Sequence, residues 1–164
     1  MAYLLDANVF MQARNLHYGF DICPAFWDWL VREHAAGSVF SIEKVGDEIQ
    51  VGSGDLTDWA AQRGSAFFLP PAADALPALA KVSTWLANQP NYAASAVSMF
   101  MQAADYYLVA QALAGGHVVV THEVAAPHAI KKVKIPDVCI GLGVKCVTPF
   151  EMLRKEGARF VLGK

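Results

Sequence analysis

The chain has 164 residues, a length that is typical of one domain and that allows about two-thirds of the unfolded surface to be buried. Hydrophobic residues make up 55% and charged residues 17%, against a usual ~25% charged, which excludes a disordered chain, a coiled coil and a collagen-like fibre. Residues 1–130 carry 5 Lys/Arg against 12 Asp/Glu, and residues 131–164 carry 8 against 3. This segregation is either a chance split or the sign of a carboxylate site beside a surface for a polyanion.

No apolar run reaches the ~18 residues that a membrane span needs. The first six residues carry neither a basic start nor a long apolar stretch, so no signal peptide is visible. The three cysteines are odd in number and lack CxxC spacing, which argues against a disulfide framework and a zinc knuckle. We expect a soluble cytoplasmic protein that forms a single domain over residues 1–164.

Short apolar runs alternate with helical segments along the chain. Strands are predicted at residues 2–5, 38–40, 66–69, 117–121 and 144–147. Helices are predicted at residues 9–15, 25–36, from an N-cap at Ser41 to Val51, 55–63, 72–87, 94–114, within 134–142, and at 149–156 behind the N-cap Thr148. This alternation predicts an α/β fold with a mainly parallel sheet covered on both faces. Ligands of such folds bind beyond the carboxyl ends of the strands.

Two acidic residues come directly after predicted strands. Asp6 follows the first strand, and Glu123 follows the strand that ends at Thr121. Because carboxyl ends of parallel strands meet at one edge, these side chains are expected to converge. The alternatives are that Asp6 caps the next helix and that Glu123 is a solvated turn residue.

A third acid, Asp105, lies within an apolar helical stripe. At ~100° per residue, one face of the predicted helix collects several apolar side chains, and Asp105 lies beside Met101 and Leu108 on it. No Lys or Arg occurs between Lys81 and Lys131 to pair locally with it. A buried carboxylate must be paired, hydrogen-bonded or bound to a metal. The stripe consists of Val97, Met101, Ala104, Leu108 and Ala112.

A fourth acid is expected from the helix that follows Ser41. Ile42, Val45 and Ile49 define its inward face, and Glu48 lies about 90° from the centre of that face. Glu43 and Asp47 lie further round, where a solvated charged face is the simpler interpretation.

Four carboxylates from distant parts of the chain would repel one another unless divalent cations neutralise them. Oxygen ligands favour Mg²⁺ or Mn²⁺ over zinc or copper. Thr121 and Asn8 supply a hydroxyl and an amide that could orient the carboxylates or a water. Hydrolysis of a phosphodiester with metal-activated water uses all of these groups.

Four blocks of the sequence, in this order, resemble the PIN-domain ribonucleases. They are Tyr3–Phe10 (YLLDANVF), Ser41 leading to Glu48–Ile49, Ala104–Ala112 (ADYYLVAQA) and Val118–Glu123 (VVVTHE). Each block is short and degenerate, whereas the set is fairly specific and spreads over most of the chain. The resemblance implies a three-layer α/β/α sandwich with a central, mainly parallel sheet of four to five strands.

The resemblance also implies functional roles. Asp6, Glu48, Asp105 and Glu123 would be the metal-binding acids, and Thr121 would support the site. Glu123 stands where the family usually has Asp, and the second acid is uncertain between Glu48 and its neighbour Asp47. The family consists of Mg²⁺- or Mn²⁺-dependent ribonucleases. Many are VapC-like toxins of toxin–antitoxin pairs, which form homodimers and are silenced by a cognate antitoxin, and this chain would belong to a divergent branch.

Further polar residues have two interpretations each. Lys131, Lys132 and Lys134 either line the path of an RNA backbone or form a solvated loop. Asp137 is a possible fifth acid or a helix cap. The aromatic cluster around Phe26 and Trp27 either stacks on unpaired bases or, as its helical spacing favours, belongs to the core or a dimer interface.

Two competing functions remain open. Aspartyl phosphotransfer of the haloacid dehalogenase type would need a second Asp where Asn8 stands. A catalytically silent PIN-like binding or scaffold module is the other alternative, which the Glu at position 123 keeps open. We expect a metal-dependent endoribonuclease that is the toxin of a type II toxin–antitoxin system.

Overall fold

A five-stranded parallel sheet forms the centre of the computed structural model, which describes residues 1–163. The strands are β1 (Tyr3–Leu5), β2 (Val39–Ile42), β3 (Phe68–Leu69), β4 (Val118–Val120) and β5 (Cys146–Val147). The strand order is β3-β2-β1-β4-β5, with β1 in the middle, and every neighbouring pair is parallel. The predicted α/β fold with a parallel sheet flanked by helices is confirmed.

The two central strands are apolar along their whole length because helices cover both of their faces. All residues of β1 and β4 are buried. In their register Leu5 pairs with Val120, so that the next residues, Asp6 and Thr121, leave the sheet side by side at its carboxyl edge.

Helices connect the strands and pack on the sheet. Those of the first half are α1 (Ala7–Gln12), which continues into a π-helical turn (Ala13–His17), α2 (Pro24–Ala35), α3 (Glu43–Gln50) and α4 (Asp55–Phe67). Those of the second half are α5 (Ala75–Ala87), α6 (Ala94–Gln102), α7 (Ala104–Gly115), α8 (Ile135–Leu142) and α9 (Pro149–Lys155). Pro24 opens α2, and the Thr148 hydroxyl accepts a hydrogen bond from the Glu151 N–H at the start of α9, as expected for an N-cap.

The prediction of one helix over residues 94–114 is wrong. Ala103 has an extended backbone (φ −91°, ψ 164°), which ends α6 and provides the N-cap of α7. The sequence carries no Gly or Pro here, so helix propensity alone gives no signal of the break. One consequence is functional, since the break places Asp105 in the first turn of a new helix.

The strand predicted at residues 66–69 begins later than expected. Helix α4 runs to Phe67 through a kink at Gly64, whose positive φ of 64° suits a residue without a side chain. Only Phe68 and Leu69 pair with β2.

The aromatic residues of α2 belong to the core, one of the two alternatives that their spacing favours. Phe26 and Trp27 are buried, and Phe20 stacks on Trp27 with ring centroids 4.1 Å apart. A second aromatic group surrounds Phe10, which is fully buried against Trp59 and Phe67. The buried rings of Phe10, Phe26 and Trp27 are therefore not available for stacking on a base.

Ser41 does not cap α3, which corrects its predicted role. It lies in β2, and its hydroxyl donates a hydrogen bond to the main-chain oxygen of Leu5, while Ile42 occupies the N-cap position. The bond ties β2 to the end of β1, one residue before Asp6.

Replacing Ser41 with alanine is therefore expected to lower the free energy of unfolding by about 1 to 3 kcal/mol, because a buried carbonyl loses its hydroxyl donor. Urea unfolding would measure this change. Ser38→Ala, just before β2, is the control and should change stability by less than about 0.5 kcal/mol; equal losses in both variants would contradict this role of Ser41.

No helix within residues 1–163 is long and apolar enough to cross a membrane.

Candidate functional site

Asp6 is held at the carboxyl edge of the sheet by two hydrogen bonds. Its Oδ1 accepts from the Ala7 N–H at 2.7 Å, which makes Asp6 the N-cap of α1. Its Oδ2 accepts from the Thr121 hydroxyl at 2.8 Å. Asp6 is only 5% exposed, so its carboxylate is fixed in a largely dry environment. Asp6 therefore caps α1 and, with the same carboxylate, remains one of the four acids predicted to form a site.

A small polar network extends from Thr121 along the edge of the sheet. The Thr121 hydroxyl oxygen accepts from the Asn8 side-chain amide and from the Glu123 N–H, each at 3.1 Å. The Asn8 carbonyl oxygen accepts from the His122 N–H at 3.2 Å. The network holds residues 121–123, and with them the Glu123 backbone, next to Asp6.

The other two predicted acids approach from helices. Asp105 lies half-buried in the first turn of α7, and Glu48 lies in the second half of α3. Helix α7 packs against α3, β2 and β4, and this packing brings Asp105 to the same edge of the sheet. The carboxylate of Asp105 acts electrostatically on those of the other three acids, Asp6, Glu48 and Glu123. Each of the other three acids thus lies within electrostatic range of Asp105.

Asp6 carries the largest perturbation of these acids. Burial, followed by the charge of Asp105, raises the pKa of Asp6 to about 7 from an ordinary 3.8. The hydrogen bonds from Thr121 and Ala7 oppose this rise, and Glu123 adds to it. Without a cation, a substantial fraction of Asp6 is thus protonated at neutral pH.

The other three acids shift in the same direction. Burial raises the pKa of Glu48 and that of Glu123, with the charge of Asp105 as the next cause in both. Burial also raises the pKa of Asp105. A cluster in which every carboxyl resists ionisation is typical of functional sites rather than of a solvated surface.

Two lysines from outside the range that was predicted to hold no local partner of Asp105 act on the acids at longer distance. Lys132 and Lys134 lower the pKa of Asp105 and that of Glu123. They come from the loop between β4 and α8, 27 and 29 residues beyond Asp105 in the chain, so a search of its sequence neighbourhood could not find them.

Asp137 uses one carboxylate oxygen for a hydrogen bond to the loop between β4 and α8, so this oxygen is not free to act as a fifth acid of the cluster. This buried carboxylate lies in the first turn of α8, and its Oδ2 accepts from the Ala126 N–H at 2.8 Å. It fastens the loop that carries Glu123 and the lysines. Neither the helix-cap nor the fifth-acid interpretation foresaw this contact.

Two histidines without a predicted role, His17 and His122, lie together next to Thr121. The rings of His17 and His122 are nearly parallel with centroids 5.7 Å apart, and Phe150 packs edge-on against both. This packing anchors the π-helical turn and α9 beside the edge of the sheet.

The donor chemistry of the cluster fits a hard divalent cation, since all four candidate ligands are carboxylates. Glu123 Oε1 is buried and has no hydrogen-bond partner among residues 1–163, which leaves a ligand oxygen unsatisfied. Over the same residues, no group of three or more His, Cys, Asp or Glu side chains is arranged so that it could hold a metal ion. The acids are thus gathered at one edge but not assembled into a ligand shell.

The fold and this edge define an α/β protein with a partly buried acidic cluster at the carboxyl ends of its parallel strands. The chain belongs to the family described as a domain of unknown function (DUF4411), whose model matches residues 3–160. No curated protein and no solved structure matches the chain.

Proposed function

We propose that this protein is a metal-dependent endoribonuclease that hydrolyses RNA phosphodiester bonds. The observation that carries the proposal is the convergence of Asp6, Glu48, Asp105 and Glu123 at the carboxyl edge of the sheet, where Asp105 acts on the other three. Four acids with raised pKa values destabilise a fold unless a cation compensates for them. Their order along the chain is that of the PIN-domain ribonucleases.

Asp6 and Asp105 would hold a Mg²⁺ or Mn²⁺ ion, with Glu48 and Glu123 completing the ligand set or holding water around it. The ion would polarise a phosphate oxygen and activate water for attack on phosphorus. Thr121 keeps Asp6 in place through its 2.8 Å hydrogen bond, and Asn8 fixes the Thr121 hydroxyl in turn. These two residues position the cluster.

Lys132 and Lys134 border the cluster and would contact the phosphates of an RNA strand. Replacing both with alanine should weaken RNA binding uniformly across sequences and lower the slope of log affinity against log salt by about 1 to 2. A salt titration followed by fluorescence anisotropy measures the slope. Lys145→Ala with Lys155→Ala is the charge-matched control, because these lysines line a different cavity together with Val118 at the amino end of β4. An equal fall of the slope in this control would contradict the assignment.

The biological role that we propose is that of a cytoplasmic toxin in a type II toxin–antitoxin system, silenced by a cognate antitoxin protein and active as a homodimer. The resemblance to VapC-like toxins supports this role. Exposed apolar side chains such as Leu16, Ile22, Leu76 and Ile140 are available for such protein contacts.

The decisive experiment is cleavage of a long RNA by the purified protein with Mg²⁺, with Mn²⁺ or with a chelator. We expect cutting with either metal, none with chelator, and none by an Asp6→Asn variant that is folded by circular dichroism. Intact RNA under every metal, with folded protein that is free of bound antitoxin, would reject the nuclease.

The lack of an assembled ligand shell favours one alternative, a catalytically silent PIN-like binding module. Such a module would bind RNA through the lysines without metal dependence. Isothermal titration of Mn²⁺ into wild-type protein and into an Asp6→Asn/Asp105→Asn variant distinguishes the two functions. A nuclease site gives heat of binding in wild type and none in the variant. A silent module gives no heat in either protein.

A further inference from the structure

A cavity of about 120 Å³ lies directly beside the acidic cluster. Asp105 forms part of its wall, so that the cavity and the cluster share one side chain. Its other walls are mostly apolar and come from α6, from the break between α6 and α7, and from the lysine-bearing loop. The apolar lining residues are Ala96, Met99, Phe100, Ala103 and Val133.

The cavity, at about 120 Å³ and open to solvent, admits at most one planar six-membered ring, and that ring only in part. A protein cavity of about 150 Å³ that is lined by aliphatic and aromatic side chains holds a benzene molecule. A pyrimidine base is close to benzene in size, whereas the fused rings of a purine are larger. Met99 supplies a flexible thioether surface against which a base packs, and Phe100, which is only 4% exposed, contributes to the wall of the cavity.

The charges around the cavity fit a nucleotide rather than a purely apolar ligand. Lys131 and Lys132 also line it, and Lys132 acts on Asp105 as well. A base within the apolar part would keep its own phosphates near these ammonium groups and near the acidic cluster. A base in a duplex cannot enter such a cavity, because its edges are paired and its faces are stacked.

We propose that this cavity binds one unpaired pyrimidine base of the RNA strand next to the bond that the acidic cluster cleaves. The inference rests on the proposed function and adds to it a base preference, a pyrimidine at that position of the single-stranded RNA. We assign Met99 as a specificity-determining residue of this cavity. Because its side chain is 67% exposed, it can be replaced with little risk to the fold.

The test is binding of fluorescein-labelled octamers of uridine and of adenosine, followed by anisotropy in the presence of a chelator so that RNA stays intact. Wild-type protein is expected to bind the uridine octamer about 5- to 10-fold more tightly than the adenosine octamer. Met99→Glu should bring this ratio close to 1. Ser98→Glu adds the same charge at the neighbouring, exposed position of α6, outside the cavity wall, and should lower both affinities while keeping the ratio.

Equal binding of both octamers by wild-type protein would overturn the inference, as would a preference that survives Met99→Glu. Self-stacking of the adenosine octamer belongs to the RNA and is unaffected by residue 99, so it cannot imitate the expected result. The outcome is independent of the cleavage assay: metal-dependent cutting without a base preference rejects only the cavity, and a Met99-dependent preference without cutting rejects only the nuclease.

Discussion

Replacement of Asp105 with asparagine is expected to reduce RNA cleavage by about 100- to 1000-fold, the loss typical when one electrostatic group of a preorganised site is removed. Asp105 acts on Asp6, Glu48 and Glu123, whereas each of the others has fewer acidic neighbours. Asparagine keeps the shape of the side chain and removes its charge. The rate of cutting of a fluorogenic RNA in Mn²⁺ measures the loss.

The matched control for this prediction is Asp47→Asn, which removes an exposed carboxylate next to Glu48. It should leave the rate within about 2-fold of wild type, in line with the small effects of most surface substitutions. Glu48→Gln should reduce the rate by less than Asp105→Asn does, because Glu48 is itself exposed and lies at the periphery of the cluster. A large loss in Asp47→Asn together with a small one in Glu48→Gln would make Asp47 the second acid.

The residues that could be predicted from sequence are those whose position follows from a strand. Asp6 and Thr121 each come directly after a short apolar run, and parallel strands place their carboxyl ends at one edge. The Thr121–Asp6 hydrogen bond is the physical outcome of that rule. Asp105 is predicted by a different signal, a charge on an apolar helical stripe. The break at Ala103 divides that stripe between α6 and α7, so the half-buried position of Asp105 agrees with the prediction although the single helix behind it does not exist.

The features that sequence could not supply depend on contacts between distant segments. Ala103 breaks a helix although alanine is the best helix former, so tertiary packing overrides propensity at that position. Ser41 has the composition of an N-cap but bonds to Leu5 on the neighbouring strand. The positions of Lys132 and Lys134 depend on the loop that Asp137 fastens, and no local pattern encodes that fastening.

The second large effect that we expect is a dependence of stability on pH in the metal-free protein. It follows from the raised pKa of Asp6. The folded state holds a proton on Asp6 up to a pH of about 7, while the unfolded state releases it near the ordinary value of 3.8. Between these values the folded protein binds more protons than the unfolded one, so the free energy of unfolding falls as the pH rises. Between pH 5 and pH 8 this group alone accounts for a loss on the order of 2 to 3 kcal/mol.

Histidines act in the opposite direction and must be separated from this effect. Burial lowers the pKa of His117 and that of His122, so both favour the folded state as the pH rises. They are present in wild type and in an Asp6→Asn variant alike, and their contribution cancels in the difference between the two proteins. The free energy of unfolding of both proteins is measured by urea unfolding with chelator at pH 5, 6, 7 and 8. The variant should become progressively more stable relative to wild type as the pH increases. An unchanging difference would mean that Asp6 titrates normally.

Divalent cations should reverse this trend in wild-type protein only. A cation binds the ionised carboxylates, so its affinity and its stabilisation grow with pH, and its binding at pH 6.5 should release protons to the buffer. The variant lacks the Asp6 charge and should gain little from Mn²⁺ at any pH. Stabilisation of wild-type protein that increases from pH 5 to pH 8, together with proton release, would identify the buried acids as the binding groups without any RNA in the assay. Equal stabilisation of both proteins would instead indicate that Mn²⁺ binds elsewhere.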